Sequence, residues 1–128
     1  MNAMRISDLA RAGGVGVETV RFYQRKGLLA PPLGDAAAGR HYGPEDARRL
    51  RFVKRAQTAG FTLAQIGELI ELDRSDDRPR ARQMARERIA ALDYEIARLE
   101  QARRSLGKLA RDCARGGAGP CPILAAFD

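Results

Sequence analysis

The chain has 128 residues, 45% hydrophobic and 30% charged, with 23 Lys and Arg against 16 Asp and Glu for a net charge of +7. That length supports one domain with a modest core, and the arginine-rich excess favours a polyanionic partner, because guanidinium groups meet phosphates in bidentate fashion. No stretch is long and apolar enough to span a membrane and the N-terminus shows no secretory apolar region, so a cytoplasmic protein with reduced cysteines is expected, not one with a structural disulfide.

In chain order, Ser7 reads as the N-cap of a first short helix, with Asp8 near its positive end. Gly13–Gly14 closes that helix and Gly16 turns into a second, Val17 to Lys26, which Gly27 stops by taking the left-handed conformation. The outer face of this second helix is expected to carry Thr19, Arg21, Tyr23 and Lys26, and its inner face Val17, Val20 and Phe22. Helix, glycine turn and cationic helix together form a helix-turn-helix pattern, whose second helix suits the major groove of DNA. An ordinary helical hairpin has the same outline, so the features that follow carry the decision.

Residues 28–43 are rich in Pro and Gly and predict a short two-stranded wing bearing Arg40, His41 and Tyr42. Two further helices fill 44–72. Pro44 opens the first, with Glu45 and Asp46 in its first turn and Leu50, Val53 and Ala56 as its apolar stripe, Phe52 beside them. Arg48, Arg49, Arg51, Lys54 and Arg55 decorate the rest, and Gly60 ends it. Thr62 and Gln65 form a capping box ahead of Leu63, Ile66, Leu69 and Ile70. Part of this charge is expected to be simply solvated, and part to reach phosphates.

Residues 73–78 read as a polar break, and Pro79 as the start of a long helix reaching about Cys113. Ala85, Ile89, Leu92, Ile96, Leu99, Leu106 and Ala110 recur in steps of three and four, with Arg103 at one seam position. Such a helix is roughly 50 Å long. It cannot bury that seam on a small N-terminal domain, so antiparallel self-association into a homodimer is expected. The domain plan is therefore 1–72, a DNA-binding domain; 79–112, a dimerisation helix; and 113–128, a loop with a short apolar tail.

Cys113 and Cys121 flank seven residues that include no Asp, Glu or His. Two thiols cannot complete a four-ligand zinc site. Soft ions such as Cu(I), Ag(I), Au(I) and Hg(II) are content with two thiolates. The apolar tail through Phe127 could lie over such a site. A small buried Cys113 and an inert exposed Cys121 is the bland alternative. No nucleophile with a base, no phosphate-cradling loop and no carboxylate pair argues for an enzyme.

Val20–Arg21–Phe22–Tyr23 with Lys26–Gly27–Leu28, Arg40–His41–Tyr42, Arg51 to Ala56, Ala59 to Leu63 with Ile66, and Cys113 through Cys121–Pro122–Ile123 resemble the MerR family of transcriptional regulators over nearly the whole chain. The resemblance implies a mainly helical fold: a winged helix-turn-helix, a long antiparallel coiled-coil dimerisation helix and a C-terminal metal-binding loop. It further implies that Thr19, Arg21, Tyr23, Lys26, Arg40, Tyr42 and Arg55 face double-stranded DNA at a palindromic promoter site. Family members sit on a promoter whose two polymerase-recognition elements are badly spaced and out of phase. Effector binding bends and untwists the DNA so that RNA polymerase can use it.

Members that sense divalent ions usually add a cysteine near the start of the dimer helix, at or near Arg78, and this chain has none. Copper-responsive members use two loop cysteines, and the spacing of Cys113 and Cys121 resembles theirs, while the N-terminal half resembles mercury regulators. Cu(I) between two thiolates leaves a net negative charge that calls for a cation. Arg78 or Arg82 from the partner helix would supply it, although copper-type members carry a small hydroxyl residue at the Arg78 position, for which Ser75 is another counterpart. The expectation is a Cu(I), Ag(I) or Au(I) sensor. The alternatives are an Hg(II) sensor, a thiol redox sensor on the same scaffold, or a constitutive DNA-binding dimer.

Overall fold

The computed structural model describes residues 4–34, 39–117 and 119–126. The tip of the expected wing and Phe127 lie outside the described residues. Among the described residues six helices follow in order: α1 (Ile6–Gly13), α2 (Val17–Arg25), α3 (Pro44–Thr58), α4 (Leu63–Ser75), α5 (Arg78–Ala114) and α6 (Pro122–Ala125). They fall into two units, Met1–Met84 and Ala85–Asp128.

The first unit holds the core. Leu9, Val20, Leu50, Val53 and Ile66 are fully buried, with Tyr23, Leu28, Tyr42, Ala47 and Ile70 around them. Helix α1 begins earlier than the Ser7 cap expected from sequence. Arg5 is its N-cap residue, and the carboxylate of Asp8 accepts the Arg5 backbone N–H at 3.0 Å. A charged acceptor one turn in satisfies the orphan donor, so the hydroxyl is not needed. Gly14 closes α1 at φ 67° and Gly16 is the N-cap of α2. Gly13 permits close approach: a Cβ there would collide with the Leu50 side chain, so α1 lies directly on α3.

Helix α2 corrects the expected facing of its aromatics. Val20 and Tyr23 are buried and Phe22 is only partly so. Positions three apart share a helix face, whereas positions two apart do not. Val20 therefore brings Tyr23 inward and turns Phe22 to the edge of the core. Gly27, at φ 76°, stops the helix as expected.

The described part of the expected wing forms no two-stranded sheet. Among the described residues there are only two isolated antiparallel bridges, Met4 with Tyr42 and Leu33 with His41. Leu33 and His41 exchange both backbone hydrogen bonds at 2.9 Å. Met4 and Tyr42 pair at 2.8 and 3.2 Å, which anchors the wing base to the start of the chain.

Pro44 opens α3 behind Gly43, whose N–H is held by Asp46 at 2.8 Å. Phe52 stays 42% exposed beside the buried Leu50, Val53 and Ala56. Thr62 and Gln65 form the expected reciprocal box, at 2.9 and 3.1 Å, at the start of α4. Of the expected α4 face, Ile66 and Ile70 are buried and Leu63 and Leu69 half-buried. The polar break is shorter than 73–78: α4 runs to Ser75, and Asp76 ends it in the left-handed conformation at φ 55°. Asp77 then caps α5 by accepting the Arg80 N–H at 3.2 Å. Arg80 reaches back to Glu68 on α4, at 2.7 and 3.3 Å, tying the two helices.

The second unit is the remainder of α5, a loop and α6. Its apolar seam is open: Ile89, Ile96, Leu99 and Leu106 are between 49% and 57% exposed. No described helix is long and apolar enough to cross a membrane.

Candidate nucleic-acid interface and thiol site

Arg21, Lys26, Arg40 and Arg55 are exposed and Thr19 is half-buried. Arg21 is steered by its own helix, since its Nη1 lies 2.6 Å from a Glu18 carboxylate oxygen. The Lys26 ammonium sits 5.6 Å above the Phe22 ring, a cation–π contact that gives the half-exposed aromatic a role. Arg40 lies next to the Leu33–His41 bridge, so the wing's single rung fixes where it emerges.

Tyr23 and Tyr42 correct the expectation of outward-facing phenols: they are 3% and 5% exposed. Each hydroxyl has a partner that the sequence did not reveal. Tyr23 donates to Gln57 Oε1 at 2.6 Å, and Gln24 Nε2 donates to the Tyr42 oxygen at 3.0 Å and to the Ala30 carbonyl at 3.4 Å. Burial pushes the Tyr23 phenol above its ordinary value, which keeps it a neutral donor. The two rings thus set the angle of α2 against α3 and against the wing base. Gln24, Gln57 and Lys54, whose Nζ donates to the Gly14 carbonyl at 2.7 Å, escaped sequence reasoning because polar tethers between distant segments leave no periodic signal.

In the second unit, Cys113 lies in the last turn of α5 and Cys121 is the N-cap of α6. Their sulfurs are 3.2 Å apart, in hydrogen-bond contact and not joined. The backbone N–H groups of Leu124 and Ile123, with the Cys113 thiol, stabilise the Cys121 thiolate and lower its pKa. Cys113 is raised, because it holds the shared proton beside a like charge. Cys121 is therefore the more acidic of the two thiols. No group of three or more metal-ligating side chains occurs among the described residues. This donor set does not fit a closed four-ligand zinc site, and it does fit a soft ion satisfied by two thiolates. Arg78 and Arg82 are both exposed near the start of α5, in the first unit, and Arg78 Nε lies 3.4 Å from Asp76.

A helix-turn-helix carrying a cationic second helix, a one-rung wing and a braced helix pair define a DNA-binding regulator fold. The chain belongs to the MerR family: the model described as "MerR HTH family regulatory protein" matches residues 4–73, and "MerR, DNA binding" matches residues 47–109. A mercuric resistance operon regulatory protein of Pseudomonas fluorescens is 40% identical over 125 residues, covering 97% of this chain and 87% of that protein. The HTH-type transcriptional regulator HmrR of Sinorhizobium medicae is 37% identical over 123 residues, covering 94% and 84%. Among solved structures, the transcription regulator PbrR691 from Ralstonia metallidurans in complex with lead(II) superposes with a TM-score of 0.69 at 30% identity, covering 98% of this chain and 99% of that one. These relatives are transcriptional regulators, not enzymes.

Proposed function

We propose that this chain is a metal-responsive transcriptional activator that works as a homodimer on promoter DNA. The observation that carries the reading is the thiol pair at the end of α5, with its sulfurs 3.2 Å apart, in a chain whose N-terminal unit is a helix-turn-helix. Thr19 and Arg21 on α2, Lys26 at its C-cap, Arg40 on the wing and Arg55 on α3 face the duplex. Tyr23 and Tyr42 act from the core by fixing the angle of α2. The open seam of α5 supports pairing with a second copy, because four half-exposed aliphatics on one stripe are covered most simply by the same stripe of a partner.

Cu(I), with Ag(I) or Au(I), is the favoured effector, held by Cys113 and Cys121. Cys113 and Cys121 would hold the ion as two soft thiolate ligands at the end of α5. Arg78 or Arg82 of the partner subunit offsets the residual negative charge. The effector switches the dimer by binding two DNA-bound states unequally, and the favoured state bends and untwists the promoter for RNA polymerase.

Hg(II) is the second reading, supported by the 40% identity to a mercuric resistance regulator. Run-off transcription from a promoter carrying a duplex that the protein selects from a random pool separates the readings. Activation by Cu(I) or Ag(I) that is lost in Cys113→Ser supports the first, and activation by Hg(II) alone supports the second. Activation by peroxide without metal moves the protein to thiol redox sensing. Repression or activation independent of all three sinks effector control.

A further inference from the structure

Cys113 and Cys121 are the two cysteines of the chain. Both are free, and Cys113 is exposed and Cys121 half-buried, so small solutes reach them. Their sulfurs stand 3.2 Å apart although eight positions separate the residues. A disulfide bond is about 2.05 Å long, so the pair stops just short of bonding distance. The connecting loop carries Gly116, Gly117 and Gly119, each at positive φ, and glycine has the widest choice of backbone conformation.

These same sulfurs are the donors assigned to the effector, and the loop offers no substitute for them. The residues between the cysteines include no Asp, Glu or His. No cluster of three or more metal-ligating side chains occurs among the described residues. The thiolate is the form of cysteine that binds a metal, and a disulfide has none. A single oxidation therefore removes both ligands together.

We propose that Cys113 and Cys121 are a reversible oxidation site, and that the disulfide formed there by a hydroperoxide switches the metal response off. The inference rests on the reading of the chain as a two-thiolate metal sensor, and its sign is opposite to that of a redox sensor activated by oxidant. One thiolate attacks a peroxide oxygen. The S–O bond forms, the O–O bond breaks, and the other oxygen leaves as hydroxide and takes up a proton. The second sulfur, already in contact, attacks the first, and the sulfenic oxygen departs as water with the second thiol's proton. The sulfurs give up two electrons in all, and hydrogen peroxide becomes two waters. A resolving thiol at this distance intercepts the sulfenic acid before more peroxide takes it to irreversible sulfinic acid. A dithiol reductant reopens the bond by exchange. Because metal binds the reduced pair alone, bound metal in turn protects the thiols from oxidation.

The test uses the full chain, reduced and metal-free, with hydrogen peroxide as oxidant and Ag(I) as the metal probe. Intact mass and free-thiol count are followed together. Both thiols are expected to disappear at one rate, the mass to fall by two hydrogens, and dithiothreitol to restore the starting state. Oxidised protein is expected to lose tight Ag(I) binding, and protein loaded with Ag(I) first to keep both thiols through the same exposure. Cys113→Ser, which leaves Cys121 without its resolving partner, is expected to gain oxygen as sulfinic acid instead. Wild type that gains oxygen as this variant does, or that cross-links two chains, overturns the site. A disulfide that leaves Ag(I) affinity unchanged overturns the switch. Reduced protein that forms the disulfide yet never binds Ag(I) tightly fails the metal reading, and the switch with it. Protein that binds Ag(I) and forms no disulfide fails this inference alone.

Discussion

The Tyr23 hydroxyl donates to Gln57 Oε1 at 2.6 Å across 34 positions of sequence, joining α2 to the end of α3. Tyr23→Phe keeps the buried ring and removes that bond. Gln57 is exposed and regains water, so the expected loss is about 1 kcal/mol in chemical denaturation, with the salt slope of DNA binding unchanged. A stability-neutral variant whose slope falls by about 0.9 would instead make Tyr23 a direct phosphate contact.

Gly13 and Gly67 separate close approach from helix propensity. Neither has a positive φ, so alanine is conformationally acceptable at both. A Cβ on Gly13 runs into Leu50, whereas one on Gly67 meets only Leu28 Cδ2 at 3.8 Å. Gly13→Ala is expected to destabilise by about 1–3 kcal/mol through overpacking. Gly67→Ala is expected to stabilise by roughly 0.5–1 kcal/mol. Denaturant midpoints of the two variants moving in the same direction would contradict the α1–α3 contact.

The Cys113–Cys121 contact predicts an order of reactivity. Cys121 is lowered by backbone N–H groups and the neighbouring thiol, and Cys113 is raised. Alkylation by iodoacetamide, followed residue by residue against pH, should begin at Cys121 on the acid side of Cys113. Replacing Cys113 with alanine removes one donor and should move the Cys121 onset upward. Cys113 reacting first would refute the arrangement.

Glu68 is held below the ordinary carboxylate range by its hydrogen bond from Arg80, against the small opposing effect of burial. A depressed folded-state pKa gives stability that is present above the unfolded value and is lost as pH falls through the folded one. Wild type and Glu68→Gln should therefore differ at neutral pH and converge in acid. A gap that widens on acidification contradicts the pair. The pair is half-exposed, so the gap should be small and should shrink in high salt.

Local rules read well from sequence where one residue decides the backbone. Gly27, Pro44 and the Thr62–Gln65 box stand where their chemistry placed them. The failures share a cause. At the first cap Asp8 takes the Arg5 N–H and Ser7 lies inside the helix, and Asp77 caps α5 where only a polar run was visible, because several neighbouring polar residues are each able to cap. Tyr23 and Phe22 were exchanged because an aromatic beside an arginine was read by its chemistry and not by its three-residue spacing from Val20. Among the described residues the wing shows one rung, Leu33 with His41, and Tyr42 pairs with Met4 at its base. Cys113 and Cys121 were visible from their place at the end of the long helix and from the family resemblance. The hydrogen bonds that fix α2 were not, since they join residues far apart in the chain.

The most direct test of effector sensing is a competition titration of the reduced protein with Cu(I), Hg(II) and Zn(II), beside a Cys113→Ser, Cys121→Ser control. The account predicts tight Cu(I) binding at one ion per thiol pair, weak Zn(II), and loss of tight binding in the control. Cu(I) binding no tighter than in the control would contradict it.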